Sequence, residues 1–303
     1  MRAIVAVRIG GPEVLELQDV PKPEPGPGQV LIKVHRAGVN FADLSSTQGK
    51  YAQAPPPPFV PGLEVSGTDQ SGRPVIAIVG SGGYAEYVTA DFAWDAEGLD
   101  LDDAAGYSLA GLTAYYALRH VGRLQQGETV LITAAAGGVG SSSIQVARAL
   151  GAGRVIAIAG SAEKQAQALK LGADVAIGYE AQIPGPVDVM VDMVGGNAFQ
   201  RAVDAMAPFG RMVCIGASSG QVQQIPGVGD LRVRGVGVLP FSMGALRARD
   251  PELFLKTSAE GIQLIRSGAL RPPIGQVLPL AEAAEAHRLL ANRAMIGKLL
   301  LAV

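Results

Sequence analysis

The chain is short of cysteine, of histidine and of charge. One thiol, Cys214, stands among 303 residues. A single thiol closes no internal disulfide, which excludes a stapled secreted domain. A structural zinc site takes four ligands, mostly thiolates. Cys214, His35, His120 and His287 are far apart in sequence and supply no such set. Charged residues make up 17 % of the chain, with 25 basic and 27 acidic side chains and a net charge of −2. That balance leaves no electrostatic footprint for nucleic acid or an anionic membrane surface. Hydrophobic residues at 48 % with so little charge exclude disorder. Only five apolar residues separate Arg2 from Arg8, too few for a signal-peptide core. Residues 129–147 are free of charge over about a bilayer's span, but Gly137, Gly138, Gly140 and Ser141 to Ser143 interrupt them. A buried strand, a turn and a helix account for that stretch better than a membrane span. The expectation is a compact, soluble, cytoplasmic α/β protein of about two domains.

What the chain has in excess is glycine, 40 residues, about twice the ordinary share. The first hundred residues read as β-rich. Ala3–Val7 and Val14–Leu17 flank Gly10-Gly11-Pro12, which is hairpin chemistry. Prolines from Pro21 to Pro27 and from Pro55 to Pro58 mark extended loops. Val30–Val34, Pro74–Val79 and Tyr84–Val88 read as short strands of a small barrel or folded sheet, with Lys33 turned outward. Asp102 and Asp103 start a helix. From Thr129 strands and helices alternate. Strands are expected at Val130–Ile132, Val155–Ala159, Val187–Asp192, Arg211–Ile215 and Gly235–Val238. Helices are expected at Ser141–Leu150, Ala162–Leu171, Pro251–Arg266 and Leu280–Leu290, before a closing strand at Lys298–Val303. Apolar strands alternating with helices mean a parallel sheet covered on both faces.

The strongest chemical signal is the strand that runs into Ala135-x-Gly137-x-x-Gly140 and then a helix. This is a dinucleotide fingerprint with alanine at its first position. The turn must let backbone approach a pyrophosphate, and the helix N-terminus offers free N–H groups to the phosphates. The last glycine lets helix and strand pack closely. A structural glycine turn is the competing reading, but strand, turn and helix are all in place. An NAD site places Asp or Glu at the end of the second strand to hold the ribose hydroxyl. Here Val155–Ala159 ends in Gly160-Ser161, both small and neutral, with Lys164 on the next helix. A hydroxyl and a lysine suit a 2′-phosphate, so NADPH is the expected cofactor, although Glu163 shares that turn.

Several stretches together resemble one family. GGPEVLEL, AGVNFADLSSTQGKY, PFVPGLEVSG, GLTAYYAL, AAAGGVG, KLGADVAIGY, VDMVGG and GKLLL are similar to patterns of the zinc-independent, zeta-crystallin-like quinone oxidoreductases of the medium-chain dehydrogenase/reductase superfamily. The resemblance covers nearly the whole chain. It implies an α/β fold: a GroES-like β-rich catalytic domain from residues 1–112 and 250–303, and an inserted Rossmann doubly wound parallel sheet, residues 113–249, with the nicotinamide in the cleft. It implies cofactor contacts at Asn40 and Tyr51 beside the nicotinamide, Thr113 at the junction, Ala135, Gly137, Gly138 and Val139 at the pyrophosphate, and Gly160, Ser161, Lys164 and Tyr179 around the 2′-phosphate. Ile215, Ala217 and Ser218 follow the fourth strand, Leu239 and Phe241 lie near the carboxamide, and Lys298 is a tail position by the cleft. Asn40 and Tyr51 are the candidate catalytic donors to a developing oxyanion.

Zinc-binding relatives carry a cysteine early in the helix that here reads NFADLSS and a histidine where Leu63 precedes Glu64; neither is present, so no metal is expected. The segment between Gly67 and Pro74 is short for the family, and Ser45 stands where a tyrosine is common. The implied function is NADPH-dependent reduction of a quinone or another conjugated carbonyl, by hydride or one-electron steps and without metal. Two alternatives stay open: an enone or enoyl-thioester reductase, and a weakly catalytic NADPH-binding structural or RNA-binding protein. His35, His120 and His287 read as structural, surface or packing residues, and Cys214 as an inert buried thiol. A homodimer through the Rossmann sheet edge is expected, since the apolar Val233–Leu239 segment would otherwise be an exposed edge.

Overall fold

A computed structural model of the chain describes residues 1–293 and 295–303. These form two compact units, residues 1–110 with 272–303 and residues 111–271.

In the first unit, β1 (Arg2–Ala6) and β2 (Leu15–Asp19) pair antiparallel, with Arg2 opposite Asp19. The Gly-Gly-Pro segment between them tightens into a 3-10 turn at Pro12–Val14. Strand β3 (Val30–Val39) is twice the expected length. His35 and Arg36 hide its second half, because their polar side chains leave at a bulge and both meet Asp102. Beyond them Ala37 and Val39 return to the core. Helix α1 (Phe41–Thr47) follows, then β4 (Glu64–Thr68), β5 (Pro74–Ile78), β6 (Tyr87–Ala90) and β7 (Trp94–Asp95). The strand expected from Tyr84 begins at Tyr87. Tyr84 is instead a fully buried wall residue whose carbonyl accepts from the Ile4 amide at 2.9 Å. Asp100 caps α2 (Leu101–Ala104), with Asp102 and Asp103 in its first turn, where acid meets the positive helix end.

Helix α3 (Ser108–Tyr115) runs into a π-helical turn, Tyr116–Val121. The second unit then alternates strand and helix: β8 (Thr129–Ile132), α4 (Gly138–Ala149), β9 (Arg154–Ile158), α5 (Ala162–Lys170), β10 (Val175–Ile177), β11 (Val187–Asp192), α6 (Gly196–Ala205), β12 (Met206–Cys214), α7 (Val228–Arg234) and β13 (Gly237–Pro240). The uncharged run from Thr129 is thus strand, turn and helix. No helix among the described residues is long and apolar enough to cross a membrane. The sheet order is β10-β9-β8-β11-β12-β13, parallel throughout. That is the doubly wound Rossmann order, reversing between β8 and β11. Val130 to Ile132, Val155 to Ala157 and Val189 to Val191 are fully buried, as both-face coverage requires.

Helices α8 (Met243–Arg249) and α9 (Pro251–Arg266) stay with this second unit. A Cβ on Gly261 would lie 2.6 Å from Leu112, so the bare glycine lets α9 settle on α3. Tyr116 adds a hydrogen bond from its hydroxyl to the Phe254 carbonyl at 2.8 Å. The chain therefore returns to the first unit at Pro272 rather than at residue 250. There β14 (Ile274–Pro279), α10 (Ala283–Ala291) and β15 (Lys298–Ala302) complete a sheet of order β14-β15-β3-β4-β5-β7, with β6 on β3.

Candidate functional site: a glycine turn at the strand ends and a buried ion pair

The glycine turn is built from β8 outward. Ala134 takes a left-handed backbone, φ 47°, and its carbonyl accepts from the Gly137 amide at 2.9 Å. Gly137 is the N-cap of α4 and brings no side chain to the N–H groups of Gly138 and Val139. Ser141, Ser142 and Ser143 turn their hydroxyls back onto the carbonyls of Gly138 and Val139, at 2.8 to 3.1 Å, and leave the helix mouth to backbone. A Cβ at Gly140 would stand 2.2 Å from the Ala134 oxygen, while one at Gly137 would meet nothing nearer than 3.4 Å. Gly140 is thus fixed by helix–strand packing, and Gly137 leaves open space at the helix mouth. Open N–H groups at a helix start and a bare approach fit a pyrophosphate.

The other sequence-predicted residues of this unit, Thr113 apart, follow or end the parallel strands. Ala135 is fully buried and donates its amide to Ile158 at 3.0 Å. Gly160 follows β9, and its Cβ position lies 3.7 Å from the Tyr179 ring, so that ring stands over the bare backbone. Ser161 caps α5 by accepting from the Lys164 amide at 3.3 Å, which sets Lys164 on the first turn. Ile215, Ala217 and Ser218 follow β12; the Ile215 amide donates to Asp192 and the Ser218 amide to Met193, both at 2.9 Å. Leu239 lies on β13, and Phe241 just beyond it stacks on Tyr116 with centroids 5.7 Å apart. Thr113 is buried in α3 and donates to the Met243 sulfur at 3.7 Å. Cys214 is buried at the end of β12; burial and the Asp192 charge push its thiol up to about 12, so it stays protonated.

Sequence reasoning missed the residue that ties these ends together. Asp192 is fully buried at the end of β11. Its carboxylate accepts from the Thr133 hydroxyl at 2.9 Å, from the amides of Val194 and Gly195 at 3.1 Å, and from the Gln223 side chain at 2.6 Å. The available signal was an acid closing the apolar run Val189 to Val191, where an unpaired charge would be prohibitive. A cavity of about 190 Å³ lies beside the turn that follows Asp192, lined by Tyr179, Gly195, Gly196, Asn197, Ser219 and Gln221 among others.

The first unit holds a second polar cluster. Glu64 has no exposed surface and Lys298 is 3 % exposed. Lys298 Nζ donates to Glu64 at 2.6 Å and to Asn40 Oδ1 at 2.7 Å; Glu64 also accepts from Asn40 Nδ2 at 2.9 Å, from the Ser108 hydroxyl at 3.0 Å and from the Leu109 amide at 2.7 Å. Both ends of the Asn40 amide are therefore engaged within the protein. Sequence brought Asn40 and Lys298 forward separately; the structure joins them through Glu64, which sequence did not select. Tyr51 lies beyond α1, half-buried. From Asn40 the cluster continues inward. The Asn40 backbone N–H donates to Asp43 at 2.8 Å, and the Tyr84 hydroxyl reaches Asp43 at 3.2 Å and His287 at 3.3 Å. Burial raises Asp43 to about 7 and lowers His287 to about 4. His287 is thus a buried packing residue, His35 pairs with Asp102 on β3, and His120 is exposed against Tyr115 and Tyr116. Among the described residues no group of three or more His, Cys, Asp or Glu side chains is placed to hold a metal ion.

Comparison with known proteins shows the family. Residues 26–97 match the alcohol dehydrogenase GroES-like domain, and residues 169–301 match the zinc-binding dehydrogenase family. The chain is 33 % identical to quinone oxidoreductase-like protein 2 of Bos taurus, covering 100 % of this chain and 92 % of that one. It is 34 % identical to the quinone oxidoreductase of Sus scrofa, covering 99 % and 97 %. Among solved structures it is similar to the quinone oxidoreductase of Thermus thermophilus, which has been described with NADPH, at 37 % identity, a TM-score of 0.88 and full coverage of both chains.

Proposed function

The chain belongs to the quinone oxidoreductases of the medium-chain dehydrogenase/reductase superfamily, and from that premise we propose that this oxidoreductase uses NADPH, without a metal, to reduce quinones or related conjugated carbonyls. The observation that carries the reading is the pair of strand ends. After β8 the backbone is bare at Gly137 and opens onto the start of α4. After β9 the chain offers Gly160, Ser161 and the Tyr179 ring where an NAD site would place an acid.

When bound, NADPH supplies the reducing electrons. The chain's own residues bind, orient and exclude water. Gly137, Gly138 and Val139 take the pyrophosphate, and Ala135 packs beneath them. Ser161, Lys164 and Tyr179 take the 2′-phosphate around Gly160, with hydroxyl and ammonium donors that an acidic residue would oppose. Thr113, Ile215, Ala217, Ser218, Leu239 and Phe241 orient the ribose and nicotinamide end, Phe241 being steadied by its stack on Tyr116. Tyr51 is the hydrogen-bond donor to the substrate oxygen. Asn40 and Lys298 hold the end of β3 rigid through Glu64, since the Asn40 amide is already engaged.

A homodimer is part of the same proposal. Strand β13 is the last of its sheet, with a pairing partner on one side only among the described residues. Beside it Phe209 is 82 % exposed, and Val228 and Val233 are 83 % exposed. The Phe209 amide donates to Gly235 at 2.7 Å, which brings Phe209 to the end of α7. A bare edge flanked by apolar side chains is what a second copy would cover.

The test is turnover with NADPH on 9,10-phenanthrenequinone, 1,4-benzoquinone and crotonyl-CoA, alongside titration of NADPH and NADH. Quinone turnover is expected, with Lys164→Ala weakening NADPH roughly tenfold or more and leaving NADH within about twofold. Turnover of crotonyl-CoA alone would move the substrate to enoyl thioesters. NADPH binding with no turnover of any acceptor, or equal losses for both cofactors, would overturn the reading.

A further inference from the structure

The Asp192 carboxylate collects donors from three separate segments. Thr133 comes from the end of β8, Val194 and Gly195 from the turn that leads into α6, and Gln223 from the loop after β12. Thr133 adds a second tie, its hydroxyl accepting from the Met193 amide at 3.0 Å. Gln223 is aimed with its NH₂ inward, giving 2.6 Å to Asp192 and 2.8 Å to the Gly216 carbonyl. Both neighbours only accept, so no other orientation of that amide satisfies them. On either side of Gln223 the loop presents Val222, 73 % exposed, and Ile225, 55 % exposed. The loop has little apolar burial of its own, so its position depends on polar ties at its root. Ser218 and Ser219 contribute through their amides, to Met193 and Val194, and the Ser219 hydroxyl donates to the Val194 carbonyl at 2.6 Å, but all on the same turn that Asp192 organises.

We infer that Asp192 is a positioning residue for the dinucleotide site: through Gln223 its carboxylate latches the 216–224 loop, which carries Ala217 and Ser218, against the 193–196 turn. This rests on the reading of the second unit as an NADPH site. A buried carboxylate that accepts from four donors, the Gly195 amide being shared between its two oxygens, is a stiff anchor, because leaving it unpaired is costly. The Thr133–Asp192 bond, which anchors the latch, spans the place where the strand order reverses, between β8 and β11, where open α/β sheets bind ligands. Asp192 need not touch the cofactor to set its affinity. Cys214, which burial and the Asp192 charge push up to about 12, stays neutral beside it.

Gln223→Glu tests the latch without touching Asp192. It sets two carboxylates side by side, which repel at pH 8 and share one proton near pH 5.5. NADP⁺ is the probe, since it withstands acid. The variant is expected to bind NADP⁺ about tenfold more weakly than wild type at pH 8 and within about threefold at pH 5.5. Gln223→Ala is expected to be weakened at both pH values. A Gln223→Glu profile parallel to wild type, or wild-type affinity in Gln223→Ala, would overturn the inference. Hydrogen exchange of the 217–222 amides in the absence of nucleotide separates it from the functional reading. If wild type fails to bind NADP⁺, the functional reading fails. The latch then stands only if those amides exchange faster in Gln223→Glu at pH 8, relative to pH 5.5 and to wild type, and falls if they do not.

Discussion

Asp43 and His287 lie on either side of one phenol. Each is buried in the first unit, and the Tyr84 hydroxyl, itself held well above its ordinary range by burial, has one proton for two neighbours. Burial opposes charge on both, and the signs differ. Asp43 is raised from 3.8 to about 7, with the Asn40 amide and the Lys298 charge only partly offsetting burial. Its contribution is complete below about pH 4 and is lost as pH rises toward 7. His287 is lowered from 6.5 to about 4, so its contribution is complete above pH 6.5 and is lost as pH falls toward 4. The slopes oppose across that window. Asp69 titrates beneath it, held well below the carboxylate range by the Ser71 hydroxyl and by Arg73. Wild-type stability is therefore expected to be nearly flat from pH 4.5 to 6.5. Asp43→Asn should leave a stability that rises with pH there by roughly 1–2 kcal/mol. Thermal unfolding at a series of pH values reads this, and parallel profiles for the two proteins would contradict it. None of this was visible in the sequence, where Asp43, Tyr84 and His287 are separated by long intervals and only the fold closes them.

The glycine turn shows how an element divides its residues between fold and ligand. Gly140 has no room for a methyl group, because the Ala134 carbonyl already occupies that place. Gly137 has room, so a methyl there would meet only what approaches the helix mouth. Gly140→Ala is expected to lower the thermal midpoint by several degrees, at a cost of roughly 1–3 kcal/mol in strain. Gly137→Ala should unfold within about a degree or two of wild type and bind NADPH at least about tenfold more weakly. Calorimetry with nucleotide titration on both variants checks this, and equal losses of stability would refute the division. The turn was legible in sequence because strand, glycine spacing and helix are contiguous. Strand β3 was legible only in its first half, since the apolar run stops at His35 and Arg36 and only the structure shows Asp102 receiving them. The short link from Gly67 to Pro74 is likewise settled by contacts. Asp69 accepts from the Ser71 amide and hydroxyl and from the Arg73 amide at 2.7 to 3.0 Å, closing a tight hairpin between β4 and β5.

At the scale of the whole molecule, the exposed edge of the second unit makes a definite prediction. Phe209 and Val233 would face a second copy across β13, so Phe209→Asp combined with Val233→Glu should shift the protein from dimer to monomer in sedimentation. A wild type that sediments as a monomer at micromolar concentration would remove the proposal. Helix α9 carries the clearest correction to a reading by order along the chain. Its periodicity was plain, but its allegiance depended on Gly261 admitting Leu112 and on Tyr116 reaching Phe254. Local pattern determined the alternation of strands and helices, the glycine turn and the neutral end of β9, because each depends on neighbours within a few residues. The tertiary structure decided that Asn40 is engaged by Glu64 and Lys298, that Asp192 gathers three segments, and that Asp43 and His287 share a phenol. Those outcomes depend on which buried polar groups find each other once water has been excluded, and the chain specifies that only by folding.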